Sequence, residues 1–131
     1  MRILTKRVYD PPARADGRRI LVDRLWPRGL SKARAAVDFW ARSVAPSNEL
    51  RRWYRQDTAN WTEFRRRYVA ELDGNPVGVA ALRDQLGRGT NTLLFGSRET
   101  RRNNATVLRE YLLAARAPRG SGRNRRSKEP P

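Results

Sequence analysis

Residues Arg19–Gly29 read Arg-Ile-Leu-Val-Asp-Arg-Leu-Trp-Pro-Arg-Gly, a short apolar run followed by a polar and rigid turn. The run Arg19–Asp23 predicts a strand that is buried on both faces, because strands of covered parallel sheets read as nearly continuous apolar sequence. Pro27 and Gly29 cannot continue the strand. Ligands of open α/β sheets bind beyond the carboxyl ends of the strands, so the turn after this strand is the first candidate site.

The rest of the chain alternates between predicted strands and predicted helices. Further strands are expected at Ile3–Val8 and Asn91–Phe95, whereas Val37–Val44 fits either a strand or a helix. Helices are predicted where capping residues precede apolar positions at helical spacing. They run from Ser31 to Ala36, from Ser47 to about Gln56, from Asn60 to Leu72, from Pro76 to about Leu86 and from Arg101 to Ala115. This alternation predicts a single three-layer α/β domain with a mostly parallel sheet covered by helices.

The amino-acid composition excludes several classes of catalytic and metal-binding site. The 131 residues include 29 Lys and Arg against 13 Asp and Glu, a net charge of +16, with no Cys and no His. These absences exclude disulfides, zinc fingers, thiol nucleophiles and histidine-based catalysis or metal binding, and we expect no cofactor and no metal site. The longest apolar runs are far shorter than a membrane span, which predicts a soluble cytoplasmic protein with no membrane contact.

The basic charge divides between a predicted domain and a predicted tail. Residues 1–116 are expected to form the α/β domain. Residues 117–131 hold no large apolar side chain that could offset the entropy lost on ordering. We therefore expect a disordered basic tail.

The turn after the strand Arg19–Asp23 carries the first set of candidate site residues. Asp23 is expected to orient the guanidinium of Arg24 and is the candidate catalytic base, since burial can raise a carboxyl pKa toward neutrality. Arg24 and Arg28 would donate hydrogen bonds to a ligand oxyanion, and Trp26 would form a wall. In the alternative, Asp23 and Arg24 are a structural ion pair and Trp26 fills the edge of the core.

A second strand-to-helix turn follows Asn91–Phe95. Backbone N–H groups at a helix start favour anions such as phosphate, and Ser97, Arg98 and Asn103 would add side-chain donors. In the alternative, Thr100 caps the helix and the asparagines are structural. If the two strands are neighbours, both turns meet in one positively charged hollow. The predicted ligand-binding residues are Arg24, Trp26, Arg28, Ser97, Arg98 and Asn103.

Cations also alternate with aromatic residues in two helices, at Arg51–Arg55 and Arg65–Tyr68. Such clusters suit nucleic acid, because guanidinium groups pair with phosphates and rings stack on bases. Glu63 and Arg67, however, are spaced for an ion pair within one helix, and Tyr68 belongs to its apolar stripe. A nucleic-acid-binding module that uses these helices and the tail is therefore the second hypothesis.

Several segments resemble the YeaO-like family, a small bacterial family of domains of unknown function. The resemblance covers about residues 3–114, and the string Asp23–Gly29 is its most specific part. The matching residues are Lys6–Asp10, Leu21–Gly29, Ala45–Ser47, Glu49–Arg51, Phe64, Tyr68, Glu71–Leu72, Thr92–Leu94, Asn103–Ala105 and Val107–Leu108. The resemblance implies an α/β domain in a bacterial cytoplasmic protein and no established reaction.

One departure bears on function. Members of this family often have histidine near the positions of Gln56 and Arg102–Asn104, and this chain has none. Chemistry that depended on those histidines would be altered or lost here, which leaves Asp23 and the arginines. The leading hypothesis is binding of a phosphate- or carboxylate-bearing small molecule such as a nucleotide, with turnover left open. A partner-binding domain without a ligand is the third hypothesis.

Overall fold

Four strands form one parallel sheet in the computed structural model, which describes residues 1–56 and 59–114. The strands are β1 (Arg2–Arg7), β2 (Arg18–Leu21), β3 (Phe39–Trp40) and β4 (Thr90–Phe95). Their order across the sheet is β1-β4-β2-β3, and each neighbouring pair is parallel. The prediction of an α/β domain is confirmed, and β2 and β4 lie side by side at the centre of the sheet. The predicted tail lies outside the described residues.

Within the described residues, five α-helices connect and cover these strands, and the local sequence explains where several of them begin. They are α1 (Lys32–Ala35), α2 (Asn48–Gln56), α3 (Trp61–Asp73), α4 (Pro76–Gln85) and α5 (Asn104–Ala114). The hydroxyl of Ser31 accepts the N–H of Arg34 to cap α1, and the hydroxyl of Ser47 accepts the N–H of Leu50 to cap α2. Asn75 caps α4 in the same way, with proline as the first helical residue.

The two faces of the sheet are covered unequally. Ile20 and Leu93 face a large core formed with α2, α3, α4 and α5, in which Tyr68 and Leu108 are fully buried. Leu21 and Leu94 point to the opposite face, where a smaller cluster is closed by α1 and by the turn that holds Trp26. The third layer of the domain is therefore one short helix and a loop.

Several predicted boundaries shift by one residue, and three segments differ in ways that bear on the site. The strand β2 ends at Leu21, so Asp23 lies just beyond it. Val37–Val44 contains both the short strand β3 and a 3-10 turn at Arg42–Val44. The helix α5 begins at Asn104 and not at Arg101, because Asn103 accepts the N–H of Thr106 and so supplies the cap expected from Thr100. Over the described ranges, no helix combines the length and apolar character that crossing a membrane requires.

Candidate anion-binding site

The turns after β2 and β4 lie together at the carboxyl edge of the sheet, as expected for neighbouring parallel strands. A direct hydrogen bond joins them, because the N–H of Gly96 donates to Oδ2 of Asp23 at 2.8 Å. A Cβ atom on Gly96 would lie 3.1 Å from the same oxygen, a tight contact that would require the carboxylate to shift by a few tenths of an ångström. The side chain of Asp23 thus connects the two turns.

Asp23 is held from three directions. Its Oδ1 accepts a 3.0 Å hydrogen bond from the side-chain amide of Asn104, which also donates to the carbonyl of Val22. The indole of Trp40 donates to the backbone carbonyl of Asp23 at 2.7 Å. Burial raises the pKa of Asp23, although the bonds from Asn104 and Gly96 and the positive charge of Arg51 act in the opposite direction. The carboxyl group is a buried tether between β2, β4 and α5.

Asp23→Asn is expected to reduce the free energy of unfolding by about 1–3 kcal/mol, because one amide oxygen cannot accept from both Gly96 and Asn104. The raised pKa of Asp23 means that the native state binds its proton more tightly than the unfolded state. Wild-type stability therefore falls as pH rises from about 3.8 through the raised native pKa, a change the variant lacks. Urea unfolding at several pH values should show the difference between the two proteins shrinking with pH. A difference that grows over this range would contradict the assignment.

The expected pairing of Asp23 with Arg24 is wrong. The guanidinium of Arg24 donates to the carbonyl oxygens of Pro46 and Ala45, each at 2.9 Å. Arg24 instead attaches the chain just before α2 to the turn after β2.

A cavity of about 760 Å³ opens between this edge of the sheet, α2 and the start of α5. Among the described residues, five arginines and two carboxylates line it, and these side chains together carry a net positive charge. One of the carboxylates, Glu99, accepts the N–H groups of Arg101 and Arg102, and these bonds lower its pKa. The five arginines are Arg24, Arg28, Arg51, Arg55 and Arg102.

Among the described residues, Arg51 has a buried side-chain donor with unused hydrogen-bonding capacity. Its Nε is buried and has no hydrogen-bond partner among the described residues. A buried donor without a partner is rare, because desolvating it without a bond is costly. Arg28, Arg55 and Arg102 are exposed, which places their side chains at the mouth of the cavity. The site thus combines Arg51, which has a buried donor, with three exposed arginine side chains at the mouth.

Five of the six predicted ligand-binding residues line this cavity, and Arg98 does not. Asn103 has its side-chain amide engaged in capping α5 and in a bond to the carbonyl of Glu99. The hydroxyl of Ser97 accepts the N–H of Glu99. The side chain of Trp26 is anchored by a hydrogen bond from its indole N–H to the carbonyl of Leu30. These residues shape the walls, and the arginines supply the donors.

The helix α2 contributes to the site in a way that its sequence does not indicate. Arg51, Tyr54 and Arg55 line the cavity, whereas the sequence pattern predicts that they belong to a nucleic-acid surface. Their spacing of three and four residues places them on one face of a helix, whereas Arg52 and Trp53 fall elsewhere. That spacing was the available signal. Asn104 was missed as the partner of Asp23.

Comparisons with known proteins show which family the chain resembles. The family model DUF488-N3i, described as "Inactive DUF488-N3 subclade", matches residues 2–131. The uncharacterized protein YeaO of Escherichia coli K12 is 42% identical over 112 residues, which cover 86% of this chain and 97% of that protein. The uncharacterized proteins Mb3100c of Mycobacterium bovis and Rv3073c of Mycobacterium tuberculosis are each 40% identical over 111 residues, 85% of this chain and 93% of theirs.

A search of the solved structures gave no significant match. The family model covers nearly the whole chain, and the relative from E. coli is similar over almost its full length. The chain therefore belongs to the YeaO-like family of bacterial proteins, within DUF488-N3i.

Proposed function

We propose that this domain binds a small molecule bearing phosphate or carboxylate groups, such as a nucleotide, in the arginine-lined cavity. The observation that carries the proposal is Arg51, which lines the cavity and whose buried Nε has no hydrogen-bond partner among the described residues. Leaving such a donor unpaired costs about 1–3 kcal/mol, and more when the group is charged. An oxyanion in the cavity would accept from the guanidinium of Arg51 in a charge-assisted hydrogen bond, which is stronger than a neutral one.

The other arginines contribute in two ways. Arg28, Arg55 and Arg102 are exposed at the mouth, where they attract an anion and contact its outer oxygens. Arg24 uses two of its donors on the carbonyls of Ala45 and Pro46, so it acts mainly by holding α2 in position. The ligand-binding set we propose keeps Arg28 and the wall residue Trp26, adds Arg51, Arg55 and Arg102, and leaves out Arg98.

Binding without turnover is the better-supported form of this proposal. Both oxygens of Asp23 already accept hydrogen bonds from the protein, which suits a tether more than a base. The chain has no histidine or cysteine to replace it in acid–base or nucleophilic chemistry. The description of the matched family as an inactive subclade supports the same assignment.

Arg51→Gln is expected to weaken binding of AMP or inorganic pyrophosphate by about 10- to 100-fold, since it removes a charge and a buried charge-assisted donor. Isothermal titration calorimetry near physiological salt would measure this. Arg52→Gln is the matched control, because it removes the same charge from an exposed position of the same helix outside the cavity. Equal losses in the two variants, or no saturable binding by the wild type, would refute the proposal.

The two alternative functions receive less support. On α3, Arg66 and Arg67 form ion pairs with Glu63, and Arg65 pairs with Glu110 of α5. These arginines are partly neutralised by their own fold, which weakens the predicted nucleic-acid surface. A partner-binding domain without a ligand would have no need of a cavity of 760 Å³ lined by charged side chains.

A further inference from the structure

The cavity is too large and too apolar for a simple anion. Its volume of about 760 Å³ falls in the range of about 300–1,000 Å³ that is typical of small-molecule sites. A single phosphate or small carboxylate could engage Arg51 and would leave most of that space to water. The ligand must therefore have a body beside its charged group.

Aromatic side chains form much of the remaining wall, and they are held in place before any ligand arrives. The ring of Tyr54 stacks on Phe64, with centroids 4.2 Å apart and planes inclined by 21°. The ring of Trp26 packs edge-on against Trp40 at 5.5 Å. The hydroxyl of Tyr9 donates to the carbonyl of Arg28, which joins the turn after β1 to the turn after β2. Rings fixed in this way lose little entropy when a flat ligand packs on them.

Part of the exposed apolar surface lies at the same place. Among the described residues, four large hydrophobic side chains are strongly exposed, and two of them, Tyr9 and Leu25, line this cavity. Tyr9 is 40% exposed and Leu25 is 52% exposed. Apolar groups gathered beside a polar site are typical of a binding surface.

From these observations we infer that the ligand carries an aromatic ring as well as its anionic group, and that a nucleoside monophosphate is the class that fits. The phosphate lies on Arg51 and the arginines of the mouth, and the base packs on the aromatic wall that includes Tyr54 and Trp26. This inference rests on the proposed anion-binding function and adds the aromatic part of the ligand. Stacking tolerates any base, so a preference among bases is not required.

The test compares ligands that contain one or both halves. AMP and UMP should each bind wild-type protein at least about 10-fold more tightly than ribose 5-phosphate or the corresponding nucleoside, since stacking of one base has an effect of this size. Titration calorimetry measures all of these affinities. If ribose 5-phosphate binds as tightly as the mononucleotides, the aromatic half of the inference is overturned while the anion-binding proposal stands. If no phosphate compound binds, the proposed function itself fails.

Variants of one residue locate the ring contact. Tyr54→Leu should bind AMP about 10-fold more weakly than Tyr54→Phe, which keeps the ring, whereas the two variants should bind ribose 5-phosphate equally, since both lose the hydroxyl bond to the carbonyl of Arg102. Trp61→Leu is the matched control, because Trp61 belongs to the same aromatic cluster and does not line the cavity. A loss of AMP affinity in Trp61→Leu as large as that in Tyr54→Leu would overturn the assignment of the base to this wall.

Discussion

Replacing Gly17 with alanine is expected to destabilise the domain by more than about 4 kcal/mol, the range reserved for severe packing or backbone conflicts. Gly17 has φ +64° and ψ −134°, a combination that is essentially restricted to glycine. An added Cβ would also overlap the backbone carbonyl of Thr90, the first residue of β4. Relief would require moving the start of this central strand, which pairs with β2 at the next residue.

Two other glycines provide controls for this prediction. Gly29 has φ +83° and no atom within 4 Å of an added Cβ, so Gly29→Ala should cost only the backbone term of about 1–2 kcal/mol. Gly89 has neither a positive φ nor a close neighbour, so Gly89→Ala should be nearly neutral. Urea unfolding of the three variants should reproduce this order. If Gly17→Ala is as stable as Gly89→Ala, the assigned contact between Gly17 and Thr90 is incorrect.

Asp16→Asn is expected to cost about 3–5 kcal/mol, because it leaves a buried positive charge without its partner. Asp16 forms ion pairs with Lys6 at 3.1 Å and with Arg19, whose side chain is almost completely buried. The remaining donors of Arg19 bind the carbonyls of Ala35 and Ala36, so the guanidinium would stay in place without a counterion. Asp16 belongs to the loop that joins β1 to β2, so these ion pairs attach the loop to both strands.

The loss of stability in Asp16→Asn should depend on pH in the opposite sense to that predicted for Asp23→Asn. Burial acts to raise the pKa of Asp16, but the N–H of Ala13 and the cations Lys6 and Arg19 outweigh it, and the pKa is lowered. The stabilisation from Asp16 is therefore complete above its unfolded pKa of about 3.8 and disappears as pH falls through the lower native value.

Unfolding experiments on the wild type and on Asp16→Asn should show their difference shrinking below pH 4. Asp10→Asn, an exposed change in the same loop, should have an effect within about 0.5 kcal/mol. A difference between wild type and Asp16→Asn that is small at neutral pH would show that Arg19 does not depend on this carboxylate.

Local chemistry explains why the strands and most helices were predictable. The apolar run that contains β2 depends only on neighbouring residues. The helix caps, Ser31, Ser47 and Asn75, also bond to backbone groups three residues away, so these features can be recognised from the sequence alone. The adjacency of the turns after β2 and β4 also followed from the sequence, through the general rule for ligand sites in parallel sheets. The start of α5 was misplaced because Thr100 and Asn103 are both suitable caps, and the choice depends on the turn formed around Glu99.

The residues that contact a ligand were harder to identify, because long-range bonds position them. The helix α2 reaches the cavity because Arg24 holds Ala45 and Pro46, and because Glu71 of α3 accepts both the N–H and the hydroxyl of Ser47. Neither interaction has a signature in the sequence between Ser47 and Gln56. The role of Arg51 therefore could not be separated from that of Arg52 before the packing of α2 was known.

The sequence by itself determined a basic α/β domain of the YeaO-like family, with its first site segment at the carboxyl end of a buried strand. Periodicity, caps and composition are sufficient for that because they act through neighbouring residues. Only the tertiary structure decided that Asp23 bonds to Gly96 and Asn104 and that Arg24 bonds to carbonyls. It also decided that Arg51 lines the cavity with a buried Nε that has no partner among the described residues. Those outcomes depend on how the fold brings distant groups together and removes water from around them, which no local pattern encodes.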